Sequence, residues 1–600
     1  MNSLPHWDLT NVYPSLESPE FVAAIADVER QIDELKLFLA TITSSPVENL
    51  PVTLAESVER FNQLLTLSDT VYNYIYSFVA TDSRNTIARK TMSAFNQLVA
   101  QVETLHTQWQ AWVGQLGLAL EQAIAANPTV QAHAFYLGEL AEQARYLMSQ
   151  PEEALAAELS VSGSKAWEQL QRTVTSQISV DFELDGKMQK LPITKIINLR
   201  SHPDAETRRR AYETENVVWD QVREPLAAAL NGIKGSVITL DRRRGRIDAL
   251  HAAIDMSRID RATLEAMLEA MEASFPMFRR YFKAKAKHLG KEQLAWWDLF
   301  APVGKSDKEY SWDETRSFIL ETFGTFSEDL AEFAQRTFDE QWIDAEPREG
   351  KVGGAFCMGL PLVKESRILA NFDGTLSQVS TIAHELGHGY HNECLYAAGK
   401  TQLQRDTPMT LAETASIMCE TIVTHAVLDQ AQDVQEELAI LEEMLNGSSQ
   451  VIVDIYSRYL FEQELFKRRA KAELSADELC EIMEHAQLAT YGDGLDPAYL
   501  QKYMWTWKPH YYSGQVSFYN FPYAFGLLFS TGLYAIYQQR GAAFVDDYRQ
   551  LLASTGEANA ADLAARFGID LRSRAFWEDS LAVIGKQIDR YCEIIEGWGS

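Results

Sequence analysis

Phe21, Ile25, Val28, Ile32, Leu35 and Leu39 recur at alternating steps of four and three residues, which stacks them on one face of a helix. Asp27, Glu29, Arg30 and Glu34 fall outside that face, so the helix is predicted to bury one stripe against a core. The same periodicity returns through residues 55–125, 205–245, 258–290, 314–340, 410–445, 450–470 and 540–595. The architecture is therefore predicted to be mainly α.

Two segments break the helical pattern. Val180-Asp181-Phe182-Glu183-Leu184 alternates apolar and polar residues and runs into Asp185-Gly186, which reads as a small hairpin. Between Lys351 and Gly374 the chain is punctuated by Gly353-Gly354, Gly359 and Pro361, and Arg367–Phe372 is predicted as a strand ending at an Asp373-Gly374 turn. No internal repeat, low-complexity tract or linker stands out. A boundary is expected near residue 200, separating an N-terminal helical lobe (1–200) from a larger region (201–600). Arg242-Arg243-Arg244-Gly245-Arg246 is the one basic run, read as a helix end facing acidic neighbours.

Composition narrows the partners. The 600 residues carry 84 Asp and Glu against 54 Lys and Arg, a formal net charge of −30, which repels nucleic-acid phosphates and anionic membranes. Five cysteines scattered at positions 357, 394, 419, 480 and 592, without a CxxC pair, suggest neither a disulfide framework nor a cysteine-rich metal module. The opening residues lack a basic stretch followed by an apolar one, and no apolar run reaches the roughly 18–20 residues of a membrane span. A cytoplasmic monomer without nucleic-acid or membrane partners is expected.

The chemistry concentrates at His384-Glu385-Leu386-Gly387-His388, an HExxH sequence on a helix predicted to be capped by Ser377. Four residues is one helical turn, a rise of about 6 Å, so both imidazoles project on one side and can share a metal. Glu385, beside them, can accept a proton from a metal-activated water without closing the coordination sphere. A catalytic zinc needs a third protein ligand, and the downstream candidates are His391, Glu393, Glu413, Glu420 and His425. The metzincin pattern is excluded, since His391 and Cys394 occupy its glycine and histidine positions. Glu413, where another apolar-periodic helix opens, is the favoured ligand. Glu420, at i+7 from it on the same face, is placed to orient a ligating histidine.

A resemblance extends these readings. Asn371-Phe372-Asp373-Gly374, Ser380 through His391, and Glu413-Thr414-Ala415-Ser416 together resemble the thimet oligopeptidase (M3) family of zinc peptidases, its oligoendopeptidase F branch in particular. Trp7–Ser15 is similar to that branch's opening and Trp297–Pro302 to its entry into the catalytic lobe. His510-Tyr511-Tyr512 and Phe518–Gly526 resemble its C-terminal signature. The resemblance implies a two-lobed helical fold enclosing a deep channel, zinc held by His384, His388 and Glu413, and Glu385 as general base. It also implies His510 with Tyr519 or Tyr523 as donors to the scissile carbonyl, and short unstructured peptides as substrates. Neutral donors of this kind stabilise the charge that develops on a carbonyl oxygen under attack, each by roughly 3–4 kcal/mol.

The strand before the metal helix can pair with an extended substrate, with Gly353 and Gly354 allowing close approach. The expected activity is zinc-dependent hydrolysis of internal bonds in oligopeptides. A carboxypeptidase or dipeptidyl carboxypeptidase would use the same site but needs a cation for the substrate's terminal carboxylate, which the sequence does not place. A non-catalytic peptide-binding protein would have no use for Glu385.

Overall fold

The computed structural model describes residues 4–305 and 308–597. It is mainly helical, with five short strands among the described residues. Two compact units share the chain: Met1–Tyr146, Lys308–Ala426 and Ile536–Gly568 form the first, and Leu147–Asp307, Val427–Ala535 and Ile569–Ser600 the second.

In the first unit, α1 (Pro19–Ser44), α2 (Leu50–Thr81) and α3 (Thr86–Gly114) pack against one another. Phe21, Val28, Ile32, Leu35 and Leu39 of α1 are buried as predicted, and the Ser18 hydroxyl caps the helix by accepting from the Phe21 N–H. The periodic stretch 55–125 is not one helix. Asn85 starts α3 by accepting from the Ala88 N–H at 3.0 Å, and Gly117, at φ +52°, separates its end from the next helix, Leu118–Ala126. Local caps override a shared apolar period.

In the second unit the predicted hairpin is present. Strands β1 (Ser179–Leu184) and β2 (Lys187–Pro192) pair antiparallel, and Asp185 and Gly186 both hold positive φ, as a two-residue primed turn requires. The long helices Ala205–Arg243 and Arg261–His288 supply its framework. Lys285 is wholly buried there, donating to the Leu299 carbonyl at 2.7 Å and pairing with Glu442 at 2.5 Å. The basic run behaves as read: Arg244 pairs with Glu153 at 2.7 Å, Arg243 with Glu152 at 3.5 Å, and Arg246 with Asp255.

The sheet that matters for the site lies in the first unit. Strands β3 (Ile343–Asp344), β4 (Phe356–Leu360) and β5 (Glu365–Leu369) are ordered β3-β5-β4, with β5 parallel to β3 and antiparallel to β4. The strand predicted over Arg367–Phe372 thus begins earlier and ends sooner. Beyond Leu369, Ala370 and Phe372 still donate to the Asp344 and Ala345 carbonyls, but β4 supplies no further partner. Buried Arg367 ties β5 to the N-terminal segment, its Nε donating to the Asp8 carbonyl at 2.9 Å and its guanidinium to Asn11 Oδ1 at 2.8 Å.

The helix bearing HExxH spans Leu376–Ala397. Its cap is Thr375 rather than Ser377. Asp373 accepts from both the N–H and the hydroxyl of Thr375, and Gly374 turns at φ +84°, which leaves Ser377 inside the first turn. The next elements, Met409–Ala412 and Thr414–Asp429, are separated at Glu413. Taken together Met409–Asp429 is long and apolar enough to pass as a membrane span by length and composition alone, and half of its most apolar window is buried in the protein, as in a core helix.

Candidate active site

Gly387 explains how the two histidines meet a carboxylate from another element. A Cβ at Gly387 would stand 2.5 Å from both the Ala415 carbonyl oxygen and Ser416 Cα, so only glycine lets the two helices touch backbone to backbone. That contact brings Glu413 over the histidine face. Glu413 Oε2 lies 3.3 Å from His384 Nε2 and 3.4 Å from His388 Nε2, and the Ser416 hydroxyl donates to it at 2.7 Å. On its other side His384 donates from Nδ1 to Glu420 Oε2 at 3.0 Å.

The donor set suits a metal. One ligand atom from each of His384, His388 and Glu413 lies within 4.8 Å of the others. Two imidazoles and one carboxylate match zinc, and three protein ligands leave a position open, as catalytic rather than structural sites do. With a metal bound, the bond to Glu420 would hold the His384 proton on Nδ1 and leave the Nε2 lone pair for the ligand bond.

The electrostatics agree with such a cluster. Burial opposes a charge on His384, yet its hydrogen bonds to Glu413 and Glu420 outweigh this and raise it to about 10. His388 is held down to about 4 by burial. Against its own burial, Glu413 is brought down to about 2 by the hydrogen bond from His384 and the neighbouring imidazoles. Glu385 moves the other way, up to about 7, because burial disfavours its charge and the carboxylates of Glu413 and Glu420 add to that against the pull of His384. Its Oε2 is buried with no hydrogen-bond partner.

Peptidase family M3 matches residues 198–583, and the oligopeptidase F description matches residues 119–179. The chain belongs to peptidase family M3. It is a metallopeptidase, a hydrolase. Among relatives of this family M3 chain is the group B oligopeptidase PepB of Streptococcus agalactiae, 23% identical over 589 residues, covering 97% of this chain and 96% of the relative. The oligopeptidase PepF of Bacillus subtilis is 22% identical over 606 residues, covering 98% and 87%. In fold, the chain is similar to the crystal structure of oligoendopeptidase-F from Enterococcus faecium, with a TM-score of 0.70, 17% identity, and coverage of 96% and 99%.

The other residues singled out in this family M3 sequence fall in several places. His391 is buried against the Thr555 hydroxyl at 2.9 Å, Glu393 pairs with Arg336 at 2.8 Å, and His425 donates to the Thr421 carbonyl, so none of them joins the triad. Gly353 and Gly354 lie exposed in the bend leading into β4, with open space around each. His510, Tyr519 and Tyr523 cluster in the second unit. The His510 and Tyr519 rings stack at 6.0 Å, and the two tyrosine hydroxyls are 2.9 Å apart. His510 Nε2 is buried without a partner. Burial, followed by the charges of Arg458, Lys508 and Lys234, holds that imidazole down to about 2 and therefore neutral.

A cavity of about 890 Å³ opens over the metal group. Ala355, Phe356 and Cys357 line it beside His384, Glu385 and His388, and Arg405 and Gln402 form another part of its wall. The Gly359 carbonyl accepts from Asn73 of α2 at 2.8 Å, away from β5. Backbone groups alternate along a strand, so Cys357 turns its backbone groups to the same side as the Gly359 carbonyl, and Ala355 precedes the strand.

Sequence reasoning missed Gly387, Ser416 and Arg405. The first two stand inside the recognised motifs, but their roles depend on which backbone and which carboxylate lie opposite. No local signal marks Arg405.

Proposed function

We propose that this protein is a zinc-dependent endopeptidase of oligopeptides. The observation that carries the reading is Glu385: a buried carboxylate with an unpartnered oxygen, in the wall of a cavity shared with His384, His388 and Glu413. A carboxylate pushed up to about 7 by burial is matched to taking and returning a proton near neutrality. Held by His384, His388 and Glu413, zinc supplies Lewis acidity toward water and the scissile carbonyl.

Glu385 takes the proton of the attacking water and passes it to the leaving amine. Ser416 and Glu420 keep Glu413 and His384 in place as ligands. His510, neutral at any working pH, acts with Tyr519 or Tyr523 as a donor to the oxygen on which charge develops. The free edge of β4 pairs with an extended peptide through Ala355 and Cys357, and the bend at Gly353 and Gly354 leaves that edge uncovered. Backbone pairing gives affinity that depends little on side chains and suits short unstructured peptides of varied sequence. The relatives described as oligopeptidases support that substrate class.

The test compares wild type with Glu385→Gln for zinc content and for turnover of a quenched peptide of about ten residues, amidated at its C-terminus. Retained zinc with turnover lowered by about 10²–10⁴ supports the assignment. Equal turnover by the two proteins removes Glu385 as the base. Wild-type turnover that appears only with a free C-terminal acid replaces endopeptidase with carboxypeptidase action.

A further inference from the structure

Among the described residues Arg405 is the one arginine in the wall of the metal cavity, and the carboxylate whose charge acts on it is Asp69. It lies over the ring of Tyr396, with Cζ 4.5 Å from the centroid. Its guanidinium donates to Gln402 Oε1, and the Gln402 amide in turn donates to Asp69. Gln402 thus links the cation to Asp69 through its amide, orienting Arg405 without a direct ion pair. Nε of Arg405 is buried and makes no hydrogen bond. A half-buried guanidinium whose buried Nε lacks a partner is costly unless a ligand completes it, and the ligand that completes it best is a carboxylate.

Two neighbouring acids weigh against an anion and neither removes the site. Asp69 is in electrostatic contact with Arg405 and burial raises its carboxyl to about 6, so it is still largely charged at neutrality, but its carboxylate is engaged by the Gln402 amide rather than by the guanidinium. Asp406 is exposed, and its field acts on His106 in the same wall.

Resting on the peptidase reading above, we propose that Arg405 is a specificity-determining residue that binds a carboxylate of the peptide substrate. Tyr396 lies eight residues beyond His388 on one helix, a rise of about 12 Å. An extended peptide advances about 3.3 Å per residue, so the carboxylate belongs three to four residues from the bond being cleaved. An acidic side chain and the terminal carboxylate are equivalent chemistry at that distance.

The experiment uses the zinc-loaded full chain and amidated quenched peptides in which one Asp is exchanged for Asn at successive positions on either side of the scissile bond. A second set carries neutral side chains and ends in acid or amide three or four residues from that bond. Binding of the same peptides to the Glu385→Gln protein is measured by fluorescence anisotropy. We expect a preference of roughly tenfold or more for the charged member of a pair, peaking at the third or fourth residue. Arg405→Gln should bring each ratio to within about twofold of one, and Arg405→Lys should restore part of it. A peak for Asp identifies a side chain as the ligand, and a peak for the terminal acid identifies the C-terminus. No preference in wild type, or one that survives in Arg405→Gln, overturns the proposal. Failure of wild type to cleave any neutral peptide counts against the peptidase reading, whereas the binding ratios judge Arg405 independently.

Discussion

His384 bridges two carboxylates, donating from Nδ1 to Glu420 at 3.0 Å while its Nε2 lies 3.3 Å from Glu413. One acid orients the ring and the other shares its intended ligand position with the metal. Loss of the orienting acid in Glu420→Ala is expected to weaken zinc binding by about 10–100-fold, with excess zinc restoring part of the activity. Competition against a fluorescent chelator measures it, and an unchanged affinity would remove Glu420 from the site's design.

The same bridge makes metal uptake pH-dependent. In the metal-free protein His384 is raised to about 10, so it is protonated across the working range, and zinc must displace that proton. Apparent affinity should therefore rise about tenfold per pH unit between pH 7 and 9. An ordinary imidazole, at about 6.5, would give a nearly flat profile there. Chelator titrations at three pH values distinguish the two.

Gly387→Ala places a methyl 2.5 Å from the Ala415 carbonyl oxygen and Ser416 Cα, backbone atoms that cannot rotate away. Overpacking of this kind costs about 1–3 kcal/mol, and here it also pushes Glu413 off the histidine face. The variant should stay folded by circular dichroism but lose zinc. Gly447→Ala, with nothing within 4 Å, serves as control and should be neutral or slightly stabilising. Zinc retention in Gly387→Ala would show that the contact is not what sets Glu413.

Glu462 holds the tyrosine segment of the second unit. It pairs with wholly buried Lys234 at 2.7 Å and accepts the Phe518 N–H at 2.9 Å, steadying a residue at φ +53° immediately before Tyr519. Glu462→Gln removes the charge from that arrangement. Turnover number should fall at least tenfold while zinc content stays at the wild-type level. If KM rises and the turnover number does not change, Glu462 does not position the donor segment for the chemical step.

Local chemistry was readable along the chain wherever a single helix turn or a two-residue loop decided it. The apolar face of α1, the Asp185-Gly186 hairpin and the pairing of His384 with His388 on one helical face are all short-range consequences of backbone geometry. Helix ends were less legible, since Thr375 displaced Ser377 as the cap once Asp373 captured its hydroxyl.

What the sequence by itself determined was therefore the helical class, the metal helix and the residue types able to hold zinc and move a proton. Only the tertiary structure decided how those types meet. Gly387 seats a second helix so that Glu413 reaches both imidazoles, and Glu420 takes the outer nitrogen of His384. Gln402 bridges Arg405 and Asp69 in the cavity wall. The physical reason is that contacts between distant segments depend on how closely two backbones approach, and no periodicity along one chain records that distance.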